Sequence, residues 1–315
     1  MSTSGADRFR PHRTLRSVAG PLFGAACLLA TLSGVVVLVI LLASILMASL
    51  QGKPDNPWYA VGPNLKELWG LLSKLIVNRQ SSNPALAGFR IGLVGSLWLL
   101  GLVATIGIPV GIAAGVYLEE YAPPGRLRRI IQTNIANLAG VPSIVYGILG
   151  LALFVRGFGF SRLAVGPCLL SGALTLGLLI LPIIVITTQE AIRTVPSSLR
   201  QAALALGATR WQMVMGHVLP AAMPGILTGT ILGLSRAIGE TAPLLMVGAA
   251  GALRKLPTGP LDRYSALPVE IYNYAKEPDR AFQTVAAGGI VILLVLLLTM
   301  NGIAILIRDR FRRYQ

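Results

Sequence analysis

Charge is scarce in this chain. Only 12% of its 315 residues are Asp, Glu, Lys or Arg, while 54% are hydrophobic. An average soluble domain carries about twice that share of charge, so a water-soluble enzyme and a disordered chain are both excluded. Histidine is nearly absent. His12 and His217 are the only two, which rules out a zinc site of the HExxH type. The two cysteines, Cys27 and Cys168, fall in apolar stretches and read as small packing residues rather than a disulfide or metal pair. No GxxxxGKS/T string occurs, so the chain lacks a phosphate loop of its own and is expected to bind no cofactor. GLSRA at 233–237 lacks the last glycine of a nucleophile elbow and lies in an apolar run, which removes it as a catalytic motif. Acidic residues number 12 against 27 basic ones, a net charge of +15. With this hydropathy the excess points to basic loops around a lipid-embedded body, not to nucleic acid.

What is abundant is uninterrupted apolar sequence. Residues 17–52, 91–118, 130–155, 163–189, 211–235 and 281–307 contain no charged residue. A helix needs roughly 20 apolar residues to cross the hydrocarbon core. The sequence therefore predicts an all-α integral membrane protein with six transmembrane helices, near 22–49, 91–117, 132–154, 165–188, 222–249 and 284–307. Barrel strands would be half as long and would alternate in polarity. The first run is too long for a signal-peptide core and reads as a retained helix.

Both ends are basic, with Arg8, Arg10, Arg13 and Arg16 before the first helix and Arg308, Arg310, Arg312 and Arg313 after the last. Six spans put both ends on one side, and the positive-inside rule makes that side the cytoplasm. The internal loops discriminate little: expected cytoplasmic segments hold 14 Lys and Arg and external ones 12, with Arg236 inside a span. In the first external loop Leu65, Leu68, Trp69, Leu72 and Ile76 recur at helical spacing, and Asn64 with Glu67 resembles a capping box. An amphipathic helix lying on the membrane or on a partner is expected there.

The cytoplasmic stretch EAIRTVPSSLRQAALALGATRWQMVMGHVLP at 190–220 is the most informative. Pro196 breaks the preceding run, and Ser198 with Gln201 suggests a capping box. Ala202 to Leu206 favour a short helix with a small-residue face, and Gly207 can end it at positive φ. Thr209 with Gln212 then caps a second helix toward Pro220. A DNA-binding helix-turn-helix is disfavoured by the membrane spans on both sides, and a bare connector needs no such caps. A helix pair that docks on a cytoplasmic motor remains.

This stretch resembles the EAA loop of ABC importer permeases. Ala202, Ala203, Gly207, Leu219 and Pro220 fit its spacing, while Gln201 stands where Glu is usual and His217 where Ile is usual. LAGVPSIVYG at 138–147, LSRAIGETAPLL at 234–245, ALPVEIYNYA at 266–275 and NGIAILIRDRFRR at 301–313 resemble the phosphate permeases of the PstA family. The likeness runs over about residues 86–313. It implies a type I ABC importer permease fold with a cytoplasmic coupling helix. It also implies three partners: a PstC-like permease forming a heterodimer, a cytoplasmic ATPase dimer that uses ATP and Mg, and a periplasmic phosphate-binding protein. The expected division is residues 1–85 as tail, first helix and external segment, 86–308 as permease domain, and 309–315 as a basic tail.

Arg236 and Glu240 interrupt the fifth predicted span. From a start at 222, Arg236 lies roughly 21 Å along the helix, near mid-membrane, where an arginine costs on the order of 2.5–3.5 kcal/mol. The i,i+4 spacing lets the two pair, either as a packing salt bridge or as a polar lining of a solute path. The second reading is favoured, with Arg236 meeting an anion, Glu240 moderating its charge, and Ser235 and Thr241 as flanking donors. Where PstA-like sequences often carry Arg before a Thr-Thr pair, this chain has Ile186 before Thr187 and Thr188, so a second cation must come from elsewhere, for example Arg193. Pro109, Pro142, Pro182 and Pro224 sit in or beside spans as kinks or hinges. The expected function is permeation of phosphate in an ATP-driven importer. The alternatives are a permease for sulfate, molybdate or tungstate, a stand-alone ion-coupled carrier, and a non-transporting scaffold.

Overall fold

The computed structural model describes residues 16–50, 65–160, 164–249, 253 and 255–312. Arg8, Arg10, Arg13, Arg313 and Asn64, and with Asn64 the capping box read at 64–67, lie outside the described residues. Among the described residues the chain is helical, without strands: α1 (Arg16–Leu50), α2 (Leu65–Val77), α3 (Arg90–Val116), α4 (Arg126–Ala139), α5 (Ser143–Gly150), α6 (Leu169–Arg193), α7 (Ser197–Ala205), α8 (Arg210–Met213), α9 (Leu219–Gly239), α10 (Ala242–Val247), α11 (Leu267–Ala275) and α12 (Arg280–Arg312). Three π-helical turns, Tyr117–Tyr121, Leu151–Val155 and Val214–Val218, extend α3 and α5 and join α8 to α9.

Five helices are long and apolar enough to cross a membrane: Phe23–Ala48, Arg90–Tyr121, Leu169–Arg193, Arg210–Gly239 and Arg280–Arg310. The third expected span, 132–154, is not one straight helix. Arg126–Ala139 and Ser143–Val155 meet at 107°, and only together do they make a sixth crossing. Pro142 is the cause. It has no N–H for the Leu138 carbonyl, and its ring would clash with that carbonyl in a continuous helix. Val141 N–H and the Tyr146 hydroxyl donate to Leu138 O instead, at 3.0 and 2.8 Å. Pro109, Pro182 and Pro224 are retained inside their helices.

The centre of the molecule is the crossing of α3 and α6. Between lipid-embedded helices close packing has to replace hydrophobic driving force, so small residues mark the contact. Gly107, Gly111 and Gly115 form one stripe on α3. A methyl group at Gly111 would lie 2.7 Å from Ile184 Cγ2, and one at Gly115 would lie 2.7 Å from Thr188 Cβ. Ile180 and Ile184 of α6 are fully buried, and α9, α10 and the 264–269 segment pack around them through Ala237, Leu244, Tyr264 and Val269. A second cluster joins α2, α11 and α12 around Phe89 and Tyr274, whose rings meet edge to face at 5.3 Å. The amphipathic helix expected at 64–77 forms as α2. Its Leu75 is buried beside Gly288 of α12, and Trp69 is exposed. By contrast α1 buries none of its apolar span within the chain. Cys27 and Cys168 are both free thiols, exposed on α1 and buried at the start of α6.

Candidate functional site

The loop after α6 folds as two capped helices. Pro196 occupies the N-cap position of α7 and makes no side-chain capping bond. The Ser198–Gln201 capping box is therefore not formed: the helix begins at Ser197, one residue early, so Ser198 already lies in the first turn. Gly207 takes φ 81°, which ends α7 where an L side chain would be strained. The Thr209–Gln212 box does form, with Thr209 N–H on Gln212 Oε1 at 2.8 Å and Gln212 N–H on Thr209 Oγ1 at 3.3 Å.

One side of this loop is seated and the other is bare. Ala203, Met213, Val214 and Val218 are buried against Val116, Ile192 and Ile226. Gln201, Ala202 and Gly207 face outward. Leu206 is 89% exposed and Trp211 61%, an apolar surface that this chain leaves uncovered. Leu219 and Pro220 do not end α8. Pro220 cannot bond the Gly216 carbonyl, and the wider turn Val214–Val218 carries the helix past it. Arg210 to Gly239 is consequently one rod from the loop to the charged pair.

That rod stops sooner than the fifth expected span, 222–249. α9 ends at Gly239, and Glu240 has ψ 120°, outside the helix. Pro243 explains this, because in a continued helix its ring would collide with the Gly239 carbonyl. Arg236 thus sits in the last turn of α9, not halfway along a longer helix. It still meets Glu240: Arg236 Nε donates to Glu240 Oε1 at 3.3 Å, with the side chains 39% and 18% exposed. Gly239 has open space around it and serves no close helix contact. Ser235 points elsewhere. Its Oγ lies 2.6 Å from Asn301 Oδ1 of α12 and 2.8 Å from Ile231 O, which ties α9 to α12. Thr241 is half-buried at the start of α10, and its carbonyl accepts Leu245 N–H. Arg236 and Glu240 are therefore brought together, and Ser235 and Thr241 do not join them in a hydrogen bond. A small hollow beside the pair, lined by Ser96, Leu99, Val103, Leu176 and Ala237, presents no charge.

Arg193 does not serve as a second cation near Arg236. Its Nε and Nη2 donate to Glu119 Oε1 and Oε2 at 2.9 and 3.0 Å. The sequence reading passed over Glu119 and Glu120. Their signal was an adjacent acidic pair directly after a charge-free span in a strongly basic protein.

Glu270 was also overlooked, although its motif ALPVEIYNYA was noted. It lies in α11, outside the spans, with no solvent exposure, and neither carboxylate oxygen has a hydrogen-bond partner of good geometry. Burial pushes this carboxyl up to about 8, against a smaller opposing pull from the nearby Ser265 hydroxyl and Gly92 N–H.

Comparison with known proteins adds identity to this geometry. The family model for the binding-protein-dependent transport system inner membrane component matches residues 107–313. The probable ABC transporter permease protein YqgI of Bacillus subtilis (strain 168) is 35% identical over 260 residues, 74% of this chain and 86% of its own. The phosphate transport system permease protein PstA 1 of Mycobacterium tuberculosis (strain H37Rv) is 36% identical over 226 residues, 70% of each chain. Among solved structures, a chain of a bacterial ABC transporter that imports the acidic polysaccharide alginate aligns with TM-score 0.60 at 18% identity. That alignment covers 93% of this chain and 98% of the other. A chain of the MetNI methionine ABC transporter aligns with TM-score 0.56 at 20% identity over 73% and 99%. The structural matches establish a shared fold.

Proposed function

Since this chain belongs to the family of binding-protein-dependent transport system inner membrane components, we propose that it forms one half of the membrane path of an importer for inorganic phosphate. It is a multi-pass permease subunit of the inner membrane, not an enzyme, and ATP hydrolysis falls to a separate subunit. The substrate reading is supported by its similarity to PstA proteins of several bacteria. The observation that carries it is the Arg236–Glu240 pair at the break after α9, on the rod that starts in the loop. An arginine fork matches the oxygens of an oxyanion, and a partly exposed one remains reachable. Glu240 keeps Arg236 oriented and weakens its hold on the anion, so that binding does not become a trap.

The partners follow from the same reading. An ATPase dimer covers the outward side of α7 and α8, including Leu206 and Trp211. A PstC-like permease completes the path and covers apolar surface such as that of α1. A periplasmic binding protein delivers phosphate at the opposite end. Both termini then lie in the cytoplasm. The chain itself binds no nucleotide, and ATP and Mg belong to the ATPase.

The test is labelled-phosphate uptake into liposomes holding the chain with its co-purified partners, binding protein and ATP. Uptake is expected to require ATP, to resist sulfate and molybdate, and to vanish with Arg236→Ala in an intact complex. Uptake without ATP defeats the importer reading, and ATP-driven uptake of another oxyanion replaces the cargo.

A further inference from the structure

The turn Tyr117–Tyr121 at the end of α3 gathers four arginines from four different elements. Glu119 accepts Arg193 of α6 through both carboxylate oxygens, and Arg128 of α4 at 3.1 Å. Glu120 Oε1 accepts Nε and Nη2 of Arg200 of α7, at 3.1 and 2.9 Å. Arg200 also caps the end of α6, donating to Val195 O at 2.7 Å and Ile192 O at 2.8 Å. The Arg210 guanidinium of α8 stands 5.4 Å from the centre of the Tyr121 ring. Glu120 is buried, and the Glu119 side chain is 14% exposed, so water screens these contacts little.

The turn therefore joins every element around the loop to α3, and α3 with α6 forms the central crossing of the molecule. A force on the loop has two routes inward. One is the continuous rod from Arg210 to Gly239, which ends at Arg236. The other passes through Glu119 and Glu120 into α3, α6 and α4. With the second route cut, α9 would move against helices that stay behind.

From this arrangement we infer that Glu119 and Glu120 are positioning residues which couple motion of the α7–α8 loop to the α3–α6 core, making the two move as one body when the ATPase closes. This rests on the reading of the chain as an ATP-driven permease. It does not depend on which anion is carried.

The test uses the complete complex in liposomes, comparing wild type with the Glu119→Gln/Glu120→Gln double variant. ATP hydrolysis and phosphate uptake are measured in the same sample. Uptake per ATP is expected to fall roughly tenfold while the basal hydrolysis rate holds, and stimulation of hydrolysis by loaded binding protein is expected to disappear. A control, Asp309→Asn, removes an ion pair remote from the turn and leaves the ratio alone. If the double variant fails to assemble, Arg200→Lys keeps the charge but loses the fork, and is expected to lower the ratio in the same direction. A second arm reads the coupling without transport. Spin labels at Pro124→Cys and Ser198→Cys, in a background lacking Cys27 and Cys168, keep one separation with and without ATP in wild type. In the double variant the separation changes on ATP binding. An unchanged uptake-to-hydrolysis ratio, or an unchanged label separation in the double variant, overturns the inference. Wild type that takes up no phosphate with ATP, yet keeps its labels fixed while the variant does not, overturns the substrate and leaves the coupling standing.

Discussion

The Tyr146 hydroxyl donates to the Leu138 carbonyl at 2.8 Å across the bend between α4 and α5. It occupies the acceptor that Pro142 cannot use. Tyr146→Phe leaves that carbonyl with one weaker partner and costs about 1 kcal/mol. The loss is expected as faster amide hydrogen exchange at residues 143–146. Unchanged exchange there would show that the phenol does not hold the bend.

The α3–α6 contact makes a graded forecast. Gly107→Ala places its methyl 3.4 Å from Gly177 Cα, at the edge of ordinary contact. Gly111→Ala and Gly115→Ala drive theirs into Ile184 and Thr188. The latter two are expected to destabilise by about 1–3 kcal/mol, and the first by less. Thermal unfolding of the purified complex ranks them, and equal effects at all three positions would contradict the close crossing.

Glu270 gives a pH dependence with a defined sign. Folding raises its carboxyl from an ordinary 4.5 to about 8. Between those values the folded chain holds a proton that the unfolded chain releases, so stability declines as pH rises through that window and levels off above it. Glu270→Gln removes the titration. Melting temperature measured from about pH 5 to pH 9 should fall for wild type more steeply than for the variant. Parallel curves would mean that the carboxyl titrates normally.

Glu240→Gln removes the negative partner of Arg236 while keeping a side chain of similar size. Phosphate is then expected to bind more tightly and leave more slowly, so KM and kcat for uptake both drop, each by roughly three- to tenfold for a partly exposed pair. A raised KM would instead make Glu240 part of the binding contact.

The legible parts of this protein were those where sequence and local structure share a length scale. Charge-free windows gave the spans, and Gly207 and the Thr209–Gln212 box gave the turn and the second helix of the loop. What went wrong came from single prolines. Hydropathy sees 130–155 and 211–249 as nearly continuous, but Pro142 and Pro243 each displace one hydrogen bond and so break the helix. Pro196 likewise shifted the start of α7 by one residue. Arg236 and Glu240 could be paired from spacing alone, because a four-residue interval survives the change from helix to extended chain. Glu119, Glu120 and Glu270 could not be read, since their partners lie as far as 80 residues away or are missing altogether.

The bend between α4 and α5 has an electrical consequence. Ser143–Val155 is 13 residues long and reaches about 20 Å, against a hydrocarbon thickness of roughly 30 Å. Most of the bulk that would complete that crossing lies instead in α4, turned aside and carrying Arg126, Arg128 and Arg129. Beside α5 the low-dielectric barrier is therefore thinner than elsewhere around the protein, and the membrane voltage drops over a shorter distance. An ion moving past Tyr146 crosses only part of the field in that stretch, so turnover should depend on voltage less steeply than full-width passage of the same charge would require.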